Sequence, residues 1–389
     1  MEPSEQDMNL SPPFRSVLCS LREAPMALSP ENATDMGTVL FWDPACQRPY
    51  DTDTIRTEAT GGTEASLSRI ADSLGAFVIQ HNRVETRGPY RPPTQIPGIT
   101  HIVINRDARA LTLVHGLYPN ARLFLWVHQY LRPGNKLGDR LARQAQLLCD
   151  LKVTIVCVSE WQRRGVTAVL EHAGVAERVP TCTIYNPIDD ALTPDASEID
   201  LNKLVFFSAQ NRGLLFALDA FAAARQRIPE LRLIIGNPGY KVRPFWTPEG
   251  VTNLGPQPQA RIHAEVRTAL CTFFPNFTNP ETFGLVFAES MALGTPVLTH
   301  NCGAAAEVIA DPAQIMPIQI RHRVYELALR RLSSSLRHGP ARLAARAGLF
   351  DAYTERLIAW RAGARPPVGP NARFALSTVS KQWRELLSS

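Results

Sequence analysis

Asn279-Pro280-Glu281-Thr282-Phe283-Gly284-Leu285-Val286-Phe287-Ala288-Glu289 sets two carboxylates eight positions apart, with an apolar, glycine-containing turn between them. Upstream, Leu270-Cys271-Thr272-Phe273-Phe274 is a short apolar run closed by Pro275, which reads as a buried strand. Downstream, Leu285 to Leu293 runs without a breaker and stops at Gly294 and Pro296, which predicts a helix. Glu281 then falls in the strand-to-helix turn, and Glu289 about two turns inside the helix. Gly284 lets the backbone approach a ligand closely, and the amides of Gly284, Leu285 and Val286 point out of the helix N-terminus, where phosphate is attracted. Carboxylates for hydroxyls beside amides for an anion suit a nucleotide sugar.

The same strand–helix alternation extends outward from this stretch. In the first half, Thr38–Asp43, Phe77–His81, Ile99–Ile104, Leu123–Val127, Val153–Val158 and the short Cys182–Tyr185 read as strands. Helical spacing follows Gly61-Gly62-Thr63-Glu64 through Leu67, Ile70, Ala71 and Leu74, and a second helix is predicted about Asp107–Leu117. Ser159 with Gln162 has the spacing of a capping box and opens a third. Pro44–Thr60 reads as a long loop, and Arg83–Pro97 as a polar, proline-rich insertion. Beyond a polar linker, Asp189–Asn202, come the strand Leu204–Phe207, the helix Leu214–Ile228, the strand Leu231–Gly236 and a helix over Gln259–Ala269. The opening stretch and the strand Pro296–Thr299 follow. Residues 321–361 are helical by pattern, Pro366 to Pro370 break the run, and an amphipathic helix closes the chain from about Phe374 to Leu387.

Continuous apolar strands alternating with helices predict parallel sheets covered on both faces, an α/β chain of two doubly wound domains. The expected divisions are a mobile lead-in over 1–37, an N-terminal domain over 38–190 completed by the terminal helix at about 374–389, and a C-terminal domain over 191–370. Two domains also suit the 389-residue length. The 45% apolar content supports globular cores, and no apolar run is long enough to span a membrane. A net charge of +5 over 41 bases and 36 acids does not call for a nucleic-acid partner. The N-terminus lacks the basic-then-apolar order of a signal peptide. Seven cysteines without a Cys-x-x-Cys pair fit free thiols in a reducing cytoplasm better than disulfides or a zinc site.

Glu281 and Glu289, followed by Ala292-Leu293-Gly294-Thr295-Pro296-Val297 and then Gly303 with Glu307-Val308, resemble the nucleotide-sugar signature of family 4 glycosyltransferases. Four further pieces stand in the family's order: Gly61-Gly62-Thr63-Glu64, His128 at a strand end, Asn186-Pro187-Ile188-Asp189, and Arg212-Gly213-Leu214. The resemblance covers roughly residues 38–310. It implies the GT-B fold, with two Rossmann-like domains facing each other across a donor-binding cleft, and a retaining transferase that works without a metal or other cofactor.

Residue by residue, the resemblance places Glu281 against the donor-sugar hydroxyls and Glu289 on the ribose diol, a task that suits a charged acceptor. Arg212, which precedes Gly213, takes the place of the family's diphosphate-binding lysine. The family's earlier arginine is missing, since Ser208, Ala209, Gln210 and Asn211 stand there. The expected donor contacts are therefore Gly61, Gly62, Ser208, Arg212, Gly236, Glu281, Phe283, Gly284, Leu285, Val286 and Glu289. Glu281, Arg212 and His128 carry the chemistry, Glu64 is a weaker acceptor contact, and no metal ligands are expected. Asn301–Ala305 is expected to bring amides toward the sugar or phosphate.

The expected activity is sugar transfer from a nucleotide-diphosphate sugar to an acceptor hydroxyl on a saccharide or lipid-linked saccharide. Bacterial relatives suggest lipopolysaccharide, capsule or exopolysaccharide assembly, in the cytoplasm or at the inner face of the membrane. Arg132, Lys136, Arg140 and Arg143 offer a basic patch for a peripheral membrane contact, against an ordinary solvated face as the plainer reading. A glucan or disaccharide synthase of the same fold is the enzymatic alternative. A phosphorylase would need a pyridoxal lysine, and Lys203 and Lys241 do not have that setting. The missing arginine raises a second alternative, a catalytically idle sugar-nucleotide-binding subunit.

Overall fold

The computed structural model describes residues 37–239, 247–319 and 348–389, together with Phe245 and His322. The lead-in through residue 36, Lys241 and residues 321 and 323–347 of the helical expectation over 321–361 lie outside these residues. Contacts divide the chain into two compact units. One takes in the residues through Asp53, Thr63–Pro187 and Leu376–Ser389, and the other Thr54–Gly62 and Ile188–Ala375.

After β1 (Thr38–Asp43) comes α1 (Thr52–Thr57), most of which is grouped with the second unit; the first unit goes on through α2 (Gly62–Leu74), β2 (Phe77–Gln80), β3 (Tyr90–Arg91), β4 (Ile99–Asn105), α3 (Leu111–Leu117) and β5 (Arg122–Val127). It continues through α4 (Lys136–Ala142), α5 (Ala145–Asp150), β6 (Thr154–Cys157), α6 (Glu160–His172) and β7 (Thr181–Thr183). Its strands form one parallel sheet in the order β3-β2-β1-β4-β5-β6-β7. The apolar runs of β1, β4, β5 and β6 are buried throughout their centres, as strands covered on both faces must be. Ser159 caps α6 by accepting from the Gln162 amide at 3.0 Å, while Gln162 Oε1 accepts from the Val158 amide at 2.8 Å.

The second unit holds β8 (Asp200–Phe207), α7 (Leu214–Arg225), β9 (Arg232–Asn237), β10 (Val251–Pro256), α8 (Gln259–Arg267), β11 (Ala269–Phe274) and α9 (Leu285–Ala292). After these come β12 (Val297–His300), α10 (Ala305–Val308), β13 (Ile315–Met316) and α11 (Asp351–Ala359). Its parallel sheet runs β10-β9-β8-β11-β12-β13. The last helix, α12 (Leu376–Ser388), belongs to the first unit, where Trp383 sets its ring edge-on to Phe41 and Trp126 at 6.0 and 5.0 Å.

Two local expectations are corrected and one strand is added. Pro44–Thr60 is not all loop, because α1 forms there around one buried residue, Ile55. Edge strand β10, which ends in Leu254-Gly255-Pro256, is an addition to the expected elements, because its half-exposed pattern has no apolar run to announce it. Glu289 is the fifth residue of α9 and so stands little more than one turn inside it, since the helix begins only after Gly284.

Candidate active site

In the second unit, two strand-to-helix loops meet at the carboxyl edge of the sheet. Thr272 pairs with Val205, so β8 and β11 end side by side. After β8 the chain turns through Ser208 to Gly213, which enters α7 with φ of 89° and would bring a Cβ to 3.3 Å from the Asn276 Cα. After β11, Asn276 organises the turn. Its buried amide donates to Asn279 O at 2.7 Å and accepts from the Thr278 and Asn279 amides. Asn279 in turn donates to Asn211 O, joining the loops.

Arg212 and Glu281 are thereby brought together, with Arg212 Nη1 at 3.4 Å from Glu281 Oε1. Arg212 also donates to the carbonyls of Asn279 and Pro280 at 3.3 and 3.1 Å. Burial raises the Glu281 carboxyl above its ordinary pKa, and the Arg212 charge only partly opposes this. The backbone of Glu281 bridges to Gly303 and accepts from the Ala304 amide at 2.8 Å. That amide, expected to face a sugar or phosphate, instead fixes Glu281. A Cβ on Gly303 would stand 2.1 Å from Glu281 O, so only glycine permits the approach.

Gly284, with φ of 94°, starts α9 and turns its first amides toward the same edge. The Phe283 ring is buried edge-on to Phe374 at 5.0 Å, so this residue can offer a ligand only its backbone. Glu289 is 4% exposed and lies 3.6 Å from His263 Nε2. His263, on α8, is a partner the sequence reading missed. Its position on one amphipathic helix face is the sole local hint. Gly236 is the penultimate residue of β9 and packs against Ile262, where a Cβ would come to 2.3 Å from the isoleucine's Cδ1. Gly61 and Gly62 fall in the segment grouped with this unit, and a Cβ on Gly62 would be 2.7 Å from Leu285 Cδ1.

The first unit has its own polar cluster, again at the carboxyl edge. Trp42 is in register with Ile104, and Asn105 with Trp126, so Asp43, Arg106 and His128 emerge together. Arg106, a non-glycine residue at φ of 70°, bridges Asp43 at 3.2 Å and Glu64 at 3.2 Å. Burial opposes its charge, but the two carboxylates hold the guanidinium above its ordinary pKa. Tyr50 donates to Asp43 Oδ2 at 2.8 Å. His128 sits against Trp126 with ring centroids 4.5 Å apart. Burial, then the Arg106 charge, pushes its pKa well below the usual histidine value, so the imidazole is neutral near pH 7. Asp43, Tyr50 and Arg106 were not singled out in the sequence. A basic residue directly after the apolar run of β4 was the available signal.

Chemically, the second unit offers a carboxylate–guanidinium pair, a helix N-terminus and a second buried carboxylate. The first offers a neutral imidazole and a carboxylate-rich edge. Both sheets, with their strand orders and helices, define the GT-B fold of two Rossmann-like domains. Residues 202–322 match the family model described as glycosyl transferases group 1, so the second unit carries a domain of that group. No curated protein sequence matches the chain.

Among solved structures, the chain is similar to AviGT4, a glycosyltransferase involved in avilamycin A biosynthesis, with 15% identity and a TM-score of 0.55 over 90% of this chain and 97% of that one. It is equally similar to sucrose-phosphate synthase from Thermosynechococcus elongatus, with 15% identity and a TM-score of 0.55 over 90% and 98%. The pneumococcal O-GlcNAc transferase GtfA, solved with UDP and GlcNAc, gives 15% identity and a TM-score of 0.52 over 74% of this chain. The chain spans 57% of that protein's length.

Proposed function

We propose that the protein is a family 4, retaining glycosyltransferase that moves a sugar from a nucleoside diphosphate to an acceptor hydroxyl. One observation carries this reading: Arg212 and Glu281 stand 3.4 Å apart beside the N-terminus of α9, within the segment that matches the group 1 transferases. Glu281 takes donor-sugar hydroxyls and Glu289 the ribose diol. Arg212 and the first amides of α9 meet the diphosphate, so the charge is handled without a metal. The bond from the anomeric carbon to the phosphate oxygen breaks and a bond to the acceptor oxygen forms on the same face. The acceptor's proton passes to the departing phosphate. His128, neutral, donates a hydrogen bond to the sugar or the leaving group.

UDP is the first donor nucleotide to test, because GtfA was solved with UDP and a similar trehalose-6-phosphate protein from E. coli with UDP-2-fluoro glucose. The acceptor reading is a saccharide or lipid-linked saccharide of polysaccharide assembly, met in the cytoplasm at the membrane face. Among the described residues, no helix is long and apolar enough to cross a membrane.

A second reading, an idle sugar-nucleotide binder, is favoured by one fact: Arg212 is already engaged by Glu281 and two carbonyls. Thermal shift against UDP-, GDP-, ADP- and CDP-sugars identifies the donor, and release of the nucleotide from it measures turnover. Glu281→Ala and Arg212→Ala are each expected to lower turnover by about 10²–10³-fold. Donor binding without any turnover in the wild type selects the idle binder, and full activity in both variants rejects the site.

A further inference from the structure

We propose that Arg212 is a positioning residue for Glu281 as well as a contact for the donor's diphosphate, so that one guanidinium couples sugar binding to phosphate binding. This rests on the glycosyltransferase reading and deepens it by naming how the two halves of the donor are linked. Arg212 lies in the loop between β8 and α7, and Glu281 in the loop between β11 and α9, both in the second unit. Ser208, Ala209, Gln210 and Asn211 put no second cation in the first of these loops, so Arg212 carries its whole positive charge.

Arg212 grips the Glu281 turn with a single nitrogen. Nη1 carries two hydrogens, and it donates to the carbonyls of Asn279 and Pro280 at 3.3 and 3.1 Å. Glu281 Oε1 lies 3.4 Å from the same nitrogen, yet this oxygen is buried and accepts no hydrogen bond among the described residues. The arginine thus holds the two residues that lead into Glu281 and leaves the carboxylate its acceptors for hydroxyls. The far side of the acid is fixed too, since Glu281 O accepts from the Ala304 amide at 2.8 Å. At its root Arg212 is steadied by its own amide, which donates to Ala209 O at 2.9 Å, and by the bond from Asn279 to Asn211 O beside it.

The opposite edge of the guanidinium is unused. Nε and Nη2 have no partner among the described residues, and the side chain is 34% exposed, which leaves it within reach of a ligand. The Nε–Nη2 edge directs two parallel N–H groups and matches two oxygens of a phosphate. The two carbonyls hold the plane of the group beforehand, which lowers the ordering cost of that contact. Engagement of Arg212 by the turn therefore does not compete with the diphosphate. A lysine has one nitrogen on a flexible stem, so it keeps the charge but cannot hold the turn and a phosphate on two fixed edges. Because one rigid group makes both contacts, the sugar that meets Glu281 and the diphosphate that meets Arg212 strengthen each other's binding.

The test uses the full chain and paired probes, a nucleoside diphosphate and its sugar: UDP with UDP-glucose, UDP-galactose and UDP-N-acetylglucosamine, GDP with GDP-mannose, and ADP with ADP-glucose. Calorimetric titration selects the pair that the wild type binds best. In Arg212→Lys the affinity for the nucleoside diphosphate is expected to fall by about threefold or less, since the charge remains, and that for the nucleotide sugar by about tenfold more. On a Glu281→Ala background the same lysine substitution is expected to lower both by one factor, because the sugar contact it acts through is gone. An equal fall for both probes in a folded Arg212→Lys overturns the positioning role, as does an unchanged affinity for the nucleotide sugar. Thermal melting reports folding. Should the lysine variant not fold, Arg212→Ala is titrated with methylguanidinium and methylammonium. Rescue of nucleotide-sugar binding by the first alone is expected, and equal rescue by both overturns the proposal. The expected split in binding, without release of nucleotide from any donor, rejects the transferase reading and leaves the positioning role standing. A wild type that binds none of the probes rejects both.

Discussion

Glu281 illustrates how a site residue can oppose the stability of its own fold. Its carboxyl pKa is raised by burial, with Arg212 only partly offsetting the cost of the charge. An acid whose folded pKa lies above its unfolded value binds more protons folded than unfolded between the two values. Its ionisation therefore costs stability as pH rises through that interval, and the full cost is present above the folded pKa. Glu281→Gln is expected to lower transfer by no more than the about 10²–10³-fold of Glu281→Ala, yet raise the melting temperature by about 1–4 °C at pH 7.5, with the gain vanishing toward pH 4. Calorimetry at both values checks this; a lower melting temperature at pH 7.5 would show the Arg212 pair to be the larger effect. In the sequence, Glu281 and Glu289 were recognisable from their spacing and surroundings. Arg212 was recognisable too, from its place before Gly213, but its pairing with Glu281 was not, and His263 was missed altogether, since these residues come from another loop and helix and meet the two acids only in the folded unit.

At the scale of elements, α9 depends on how it is entered. Gly284 adopts φ of 94°, and a Cβ there would come within 2.4 and 2.6 Å of the Phe287 ring. That ring is buried and edge-on to Phe274 at 5.7 Å, so it has little room to yield. Gly284→Ala combines left-handed strain with displacement of a core aromatic, and is expected to destabilise by about 1–3 kcal/mol. Because the first amides of α9 would tilt, donor affinity should fall more in this variant than in Gly255→Ala, a positive-φ position with nothing within 4 Å of a Cβ. Denaturant titration gives the first quantity and calorimetric titration of the donor the second. Helix α9 was legible because its apolar run is continuous. Helix α1 and strand β10 were not, because each is short or half-exposed and shows no periodicity.

At the scale of the whole molecule, each unit has a core feature that joins distant parts of the chain. In the second, His300 is fully buried. Its Nδ1 lies 2.9 Å from Met316 O, its Nε2 meets the Tyr353 hydroxyl, and Phe216, Phe277 and His322 surround it. Burial lowers its pKa to about 4. Above the unfolded value near 6.5 it is neutral in both states. As pH falls toward 4 the unfolded chain takes the proton first, so stability drops by up to about 3 kcal/mol. Glutamine at this position should flatten that slope between pH 6.5 and 4, whatever it costs at neutral pH, as followed by denaturation midpoints. In the first unit, Trp383 of α12 packs on Phe41 and Trp126. Removing residues 376–389 uncovers those rings, and loss of the cooperative transition assigned to that unit is the expected calorimetric result.

The chain's order of apolar strands and helices, and the eleven residues from Asn279 to Glu289, were determined locally. Burial of a strand on two faces requires continuous apolar residues, and a helix start requires its turn, so both leave marks in adjacent positions. The tertiary structure alone decided which groups would share a neighbourhood. Arg106 stands 63 positions from Asp43 and 42 from Glu64, and strand order, not spacing, brings the three together. It also set the electrostatics of the two acids read first. Burial of Glu281 beside Arg212, and of Glu289 beside His263, follows from loop and helix packing. A carboxylate's surroundings are supplied by residues the fold gathers, and so cannot be read from the residues next to it in the chain.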